Sequence, residues 1–175
     1  MKKTSIIRSI VVPALFAVYL YLLVKAILFK FGPIEGKFLL HQFLYHLENP
    51  GSMLNRLSVS SNFIPFKQIS SDVRSLHNLG LFQLNNFTGN IYIFIPFGIF
   101  VPVLYGEKNV SLEKVFFLSF LLSLMLESSQ AILSIGTFDV DDLLLNSSGG
   151  MIGFGIYSLF GRRTSDGLVS AKQES

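Results

Sequence analysis

The chain has 175 residues, half of them hydrophobic, with 18 Phe and only 14% charged, where a soluble domain carries about 25% charged residues. Length and composition together indicate one membrane-embedded domain. The absence of cysteine excludes disulfides, thiolate metal sites and a Cys nucleophile, and a small, dispersed formal charge of +3 offers no patch for nucleic acid.

Four apolar segments are long enough to cross a bilayer, which takes about 20 helical residues for about 30 Å of hydrocarbon. In chain order they run from about Ser9 to Phe31, Asn90 to Tyr105, Leu112 to Ile135 and Asp141 to Phe160. Lys2, Lys3 and Arg8 before the first segment also suit a signal peptide. No small-residue cleavage site follows, however, and the apolar run outlasts a signal core, so it reads as an uncleaved span. Lys25 near its end is placed to snorkel to the interface. Pro13, Pro96 and Pro102 are tolerated in membrane helices and kink or locally open them.

Basic residues flank the spans at Lys2, Lys3 and Arg8, at Lys108 and Lys114, and at Arg162 and Arg163. With four spans these places share one side, and the positive-inside bias makes that side cytoplasmic. The stretch from about Gly32 to Gly89 is then one long outer loop, and the turn from Gly136 to Val140 is also outside. Within the loop, Phe38 to Leu47 has a partly helical pattern. Asn62-Phe63-Ile64-Pro65-Phe66 reads as extended at Ile64-Pro65, with Phe63 and Phe66 at the interface or capping the bundle. The expected fold is all-α: a polytopic bundle of about four transmembrane helices with both termini cytoplasmic. Residues 1–160 form the domain and 161–175 a polar, unstructured cytoplasmic tail.

The polar residues that interrupt the apolar runs fall at one end of this topology. Asn86 and Asn90, four apart, stand at the entrance of span two. Glu127 and Gln130, three apart on one face, stand in the last turns of span three. Asp139, Asp142 and Asn146 stand at the entrance of span four, where Asp142, Asn146, Gly149 and Gly153 make one stripe. Glu127 lies roughly 12 Å inside its span, too deep for easy snorkelling, so it needs a partner, a water-filled cleft or a proton. Polar groups at such depth point to a site. Packing alone also accounts for the glycines of span four, and helix capping for Asp139 and Asp142. Asp141 points away from this set and is expected to be solvated.

The candidate ligand-binding set is therefore Asn86, Asn90, Glu127, Gln130, Asp139, Asp142 and Asn146, with Glu127 and Asp142 as candidate acid and base. These side chains supply only oxygen ligands, which would suit a divalent cation, although no cofactor is called for. His41, His46 and His77 lie in the outer loop and read as ordinary polar residues. No Ser-centred nucleophile motif, phosphate-binding loop or zinc spacing is present.

Taken in order, Asn62-Phe63-Ile64-Pro65-Phe66, Asn86-Phe87-Thr88-Gly89-Asn90-Ile91 with Phe94, Pro96-Phe97-Gly98 and Pro102, Glu127 with Gln130, and the Asp139 to Gly153 stretch resemble the signature blocks of the VanZ-like family. The blocks cover about Asn62 to Phe160. Gly136-Thr137-Phe138 lacks an arginine that some members carry before the first aspartate. The resemblance implies a small multi-pass protein of the bacterial cytoplasmic membrane. It also implies a link to low-level resistance to teicoplanin, a lipid-tailed glycopeptide antibiotic, and it brings no agreed catalytic residues.

The first expected function is action at the outer leaflet on membrane lipids or a lipid-linked wall precursor, which would reduce the antibiotic's access to its target. The alternative is a membrane enzyme, an acid–base or divalent-metal hydrolase or transferase, on a lipid-linked substrate. The third is a small proton-coupled transporter. A homo-oligomer is compatible with each.

Overall fold

A computed structural model describes residues 7–79, 86–105 and 110–173, and each of the four apolar runs in it is a helix. Helix α1 (Val12–Phe29) is entered through a π-helical turn at Ile7–Val11. Pro13 sits in its first turn, where a backbone N–H would lack an intrahelical acceptor anyway. The helix stops because Lys30 and Phe31 both take left-handed backbone angles, with φ of 46° and 60°. Their N–H groups fold back onto the Ala26 and Lys25 carbonyls, satisfying two acceptors that a helix end leaves open. Lys25 does not extend away from this end. Its Nζ donates to the Gly32 carbonyl at 2.7 Å and lies over the Phe29 ring.

The stretch expected as a long loop is largely helical. It holds α2 (Gly36–Glu48), which covers the expected Phe38 to Leu47 segment, α3 (Pro50–Ser60) and α4 (Lys67–Leu79). Ties at His46, Arg56 and Asn62 are among those that hold this region to the bundle. His46 Nδ1 donates to the Ile132 carbonyl at 2.7 Å, and since a carbonyl only accepts, that nitrogen carries the proton. Arg56 Nη2 donates to the Gly136 carbonyl at 3.1 Å. Asn62 forms an isolated parallel bridge with Asp139, with Asn62 N–H donating to Phe138 O and Val140 N–H to Asn62 O, both at 2.9 Å. Among the described residues this bridge is the only β pairing.

The other spans are α5 (Asn86–Tyr105), α6 (Leu112–Ile132) and α7 (Val140–Gln173). Helix α5 starts four residues before the expected Asn90, which puts Asn86 and Gly89 in its first turn. Helix α7 continues past Phe160 to Gln173, through the segment expected to be an unstructured tail. Lys114 Nζ lies 5.3 Å from the centre of the Tyr105 ring, so the end of α5 meets the start of α6. The topology signals Lys2, Lys3 and Lys108 lie outside the described residues, as do the side chains of Arg8, His77, Arg162 and Arg163.

Helix α7 packs on α5 and α6, and α1 packs on the same pair. The α5–α7 contact is backbone against backbone. A Cβ on Gly98 would meet the Gly150 carbonyl, and one on Gly149 or Gly153 would meet the Ile91 or Ile95 carbonyl. Small residues permit this approach between membrane helices. Leu23, Phe94, Phe97, Val101, Val115 and Leu126 fill the interior, with Phe16 and Tyr19 packed against it. Pro96 removes one N–H from the α5 ladder, and in that turn the Tyr19 hydroxyl donates to the Ile93 carbonyl at 2.7 Å. Large apolar side chains such as Phe117, Leu121, Met125, Leu159 and Phe160 are exposed, as expected of spans bathed in lipid. All four spans are long and apolar enough to cross a membrane. The chain is thus an all-α, multi-pass membrane protein.

Candidate functional site

The entrance of α5, the end of α6 and the entrance of α7 meet at the end of the bundle that carries α2–α4. Between them and the end of α1 lies a cavity of ≈ 680 Å³. Six of the seven residues singled out from the sequence line it: Asn86, Asn90, Glu127, Gln130, Asp139 and Asp142.

Glu127 is the deepest carboxylate, only 1% exposed. Its Oε2 accepts the backbone N–H of Asp139 at 3.0 Å, so the α6 side chain fixes where α7 begins. Gln130, one turn further on, donates its Nε2 to the Ile27 carbonyl of α1 at 2.7 Å. Its own carbonyl accepts from the Ile135 and Gly136 amides, which turns the chain toward α7.

Asp139 does cap α7, accepting the Asp141 N–H on Oδ1 at 2.8 Å. The same oxygen accepts from Asn62 Nδ2 at 2.8 Å, joining the cap to the Asn62 bridge. Asp142, on the next positions of α7, accepts from Asn86 Nδ2 at 3.0 Å. Asn90 also lines the cavity, but its Nδ2 is buried without an acceptor among the described residues.

Two expectations are corrected. Asp141 is not solvated: it has no exposed surface. Its carboxylate accepts the backbone N–H groups of Phe66 (2.5 Å), Gln68 (2.7 Å) and Ile69 (3.1 Å). These are open donors at the start of α4, and an anion there is favoured by both hydrogen bonding and the helix dipole. The outward side of α7 is therefore occupied by α4 rather than water. Asn146 shares the helical stripe of Asp142 but does not line the cavity. It lies one turn deeper, 1% exposed, donating Nδ2 to Ser123 Oγ at 2.8 Å between α6 and α7. Its Oδ1 has no partner among the described residues.

The sequence left part of the wall unidentified. Ala26 and Ile27 of α1, Lys30 just past its end and Gln68 of α4 line the cavity, as do Gly136 and Thr137 of the α6–α7 link. Lys30 carried a signal only as a charge at the end of a span, and Gln68 none. Phe63 and Phe66 are exposed, and Phe63 stacks on Phe138 with ring centres 5.4 Å apart.

The cavity thus presents three carboxylates, four side-chain amides and one lysine inside an otherwise apolar bundle. Such a surface is able to accept hydrogen bonds and positive charge. Among the described residues, no three carboxylate, imidazole or thiol side chains converge as a protein-held metal ion requires.

The family described as VanZ/LLP1 matches residues 16–161 of this chain. The protein named VanZ of Enterococcus faecium is 37% identical to it over 70 residues, a stretch covering 40% of this chain and 42% of that relative. No solved structure matches the chain. The family match runs from the first span through the end of the fourth and takes in every wall of the cavity, and the chain belongs to the VanZ/LLP1 family.

Proposed function

We propose that this membrane protein works at the outer leaflet of the bacterial cytoplasmic membrane. There its cavity holds the head group of a lipid or lipid-linked wall precursor, and the protein thereby lowers susceptibility to teicoplanin-type lipoglycopeptides. The observation that carries this reading is the convergence of Glu127, Asp139, Asp142, Asn86, Asn90 and Gln130 on one cavity at the end of an apolar bundle. Polar groups are costly at that depth and are retained where they meet something polar. The basic flanks at the opposite end support an outward-facing cavity, and the relative named VanZ supports the link to glycopeptide tolerance.

The test is expression in a sensitive Gram-positive host with teicoplanin and vancomycin susceptibility measured against empty vector. The reading expects a rise in tolerance to the lipid-tailed antibiotic and little change for vancomycin. No change for either would overturn the resistance role. The enzymatic alternative draws on the two carboxylates Glu127 and Asp142 sharing the cavity. It needs a nucleophile, and among the described residues the cavity offers no hydroxyl, thiol or imidazole side chain beyond the Thr137 hydroxyl.

A further inference from the structure

Among the described residues no lysine or arginine forms an ion pair with Glu127, Asp139 or Asp142. Their partners are neutral: the Asp139 backbone amide for Glu127, the Asn62 amide and the Asp141 N–H for Asp139, and the Asn86 amide for Asp142. Glu127 is 1% exposed, yet only Oε2 is engaged. Anions removed from water are stable only when donors or an opposite charge replace the lost hydration. An occupant carrying a positive group would complete this wall.

One cation does line the cavity. Lys30 stands on the α1 wall, and its side chain makes no hydrogen bond or ion pair with any described residue. Helices α1 and α7 flank the same α5–α6 pair, so the lysine and the α7 aspartates stand on different walls of one cavity. An anionic head group would bring its phosphate among three carboxylates, and a neutral sugar would leave those carboxylates uncompensated. A group that carries both an ammonium and a phosphate offers a partner to each wall, and the volume lies within the ~300–1,000 Å³ typical of small-molecule sites.

We propose that the cavity takes the zwitterionic head group of an amine-bearing phospholipid, its ammonium against Glu127, Asp139 and Asp142 and its phosphate toward Lys30. This rests on the reading of the cavity as a head-group site. The acyl chains lie along the apolar spans.

The test uses the full chain purified in mild detergent. It is exposed to equal amounts of phosphatidylethanolamine, N-acetyl-phosphatidylethanolamine and phosphatidylglycerol with identical acyl chains, and retained lipid is read by native mass spectrometry. Phosphatidylethanolamine is expected to be retained about tenfold over the N-acetyl lipid, which keeps the phosphate but loses the ammonium. Asp142→Asn, which keeps an oxygen for Asn86, narrows that preference. Lys30→Gln lowers retention of both lipids. Soluble phosphoethanolamine at the same concentration stays unbound; equal binding would make a free solute the occupant and overturn the lipid assignment. Equal retention of the three lipids, or preference for phosphatidylglycerol, overturns the zwitterion while leaving a head-group site in place. Retention of none overturns both.

Discussion

The Glu127 carboxylate receives the Asp139 backbone N–H at 3.0 Å through Oε2, so one side chain both lines the cavity and sets the start of α7. The two roles separate on substitution. Glu127→Gln keeps a carbonyl oxygen for that N–H, and its stability in detergent should stay within about 1 kcal/mol of wild type. Glu127→Leu leaves the Asp139 N–H without its acceptor and should cost about 1–3 kcal/mol. Thermal unfolding of the two variants in one detergent checks this, and equal stability would show that the hydrogen bond does not hold α7 in place.

Asp141 anchors α4. With three backbone donors converging on it, Asp141→Asn replaces one acceptor oxygen by a donor that faces N–H groups. The amides of Phe66, Gln68 and Ile69 should exchange with deuterium at least about tenfold faster, the loss expected for one charged hydrogen bond. Amides of α6 should be unchanged. Unaltered exchange at Phe66 to Ile69 would mean that α4 is held by other contacts.

The glycine stripe of α7 makes a graded prediction. Gly149→Ala and Gly153→Ala place a methyl group against the Ile91 and Ile95 carbonyls. Helices α5 and α7 must part, at a cost of about 1–3 kcal/mol by analogy with overpacked cores. At Gly155 a Cβ meets nothing within 4 Å, so Gly155→Ala should be neutral or slightly stabilising. Equal effects at the three positions would contradict the close α5–α7 contact.

The spans were legible because length and hydropathy alone specify a helix that crosses lipid. The faces were legible because a helical repeat places Glu127 with Gln130 and Asn86 with Asn90. Depth was less so: Asn146 lies on the expected stripe but one turn, about 5.4 Å, too far in to reach the cavity. What lay beyond the sequence was set by tertiary partners. Asp141 reads as solvated when α7 is considered alone, and only the docking of α4 supplies the amides that replace water. Lys30 falls one residue before the expected end of span one at Phe31, and only the packing of the first span beside the second and third shows that this end lines the cavity. The residues between spans one and two are docked by ties such as His46 with Ile132 and Asn62 with Asp139, long-range pairings that no local pattern announces.

Whether this cavity carries the activity is decided by teicoplanin susceptibility measured for empty vector, wild type and Glu127→Gln at matched levels of folded protein in the membrane. Wild type is expected to raise tolerance, while Glu127→Gln, with its fold intact and the most buried carboxyl of the cavity removed, gives up most of the gain. Full tolerance with Glu127→Gln would contradict the assignment of the activity to this cavity.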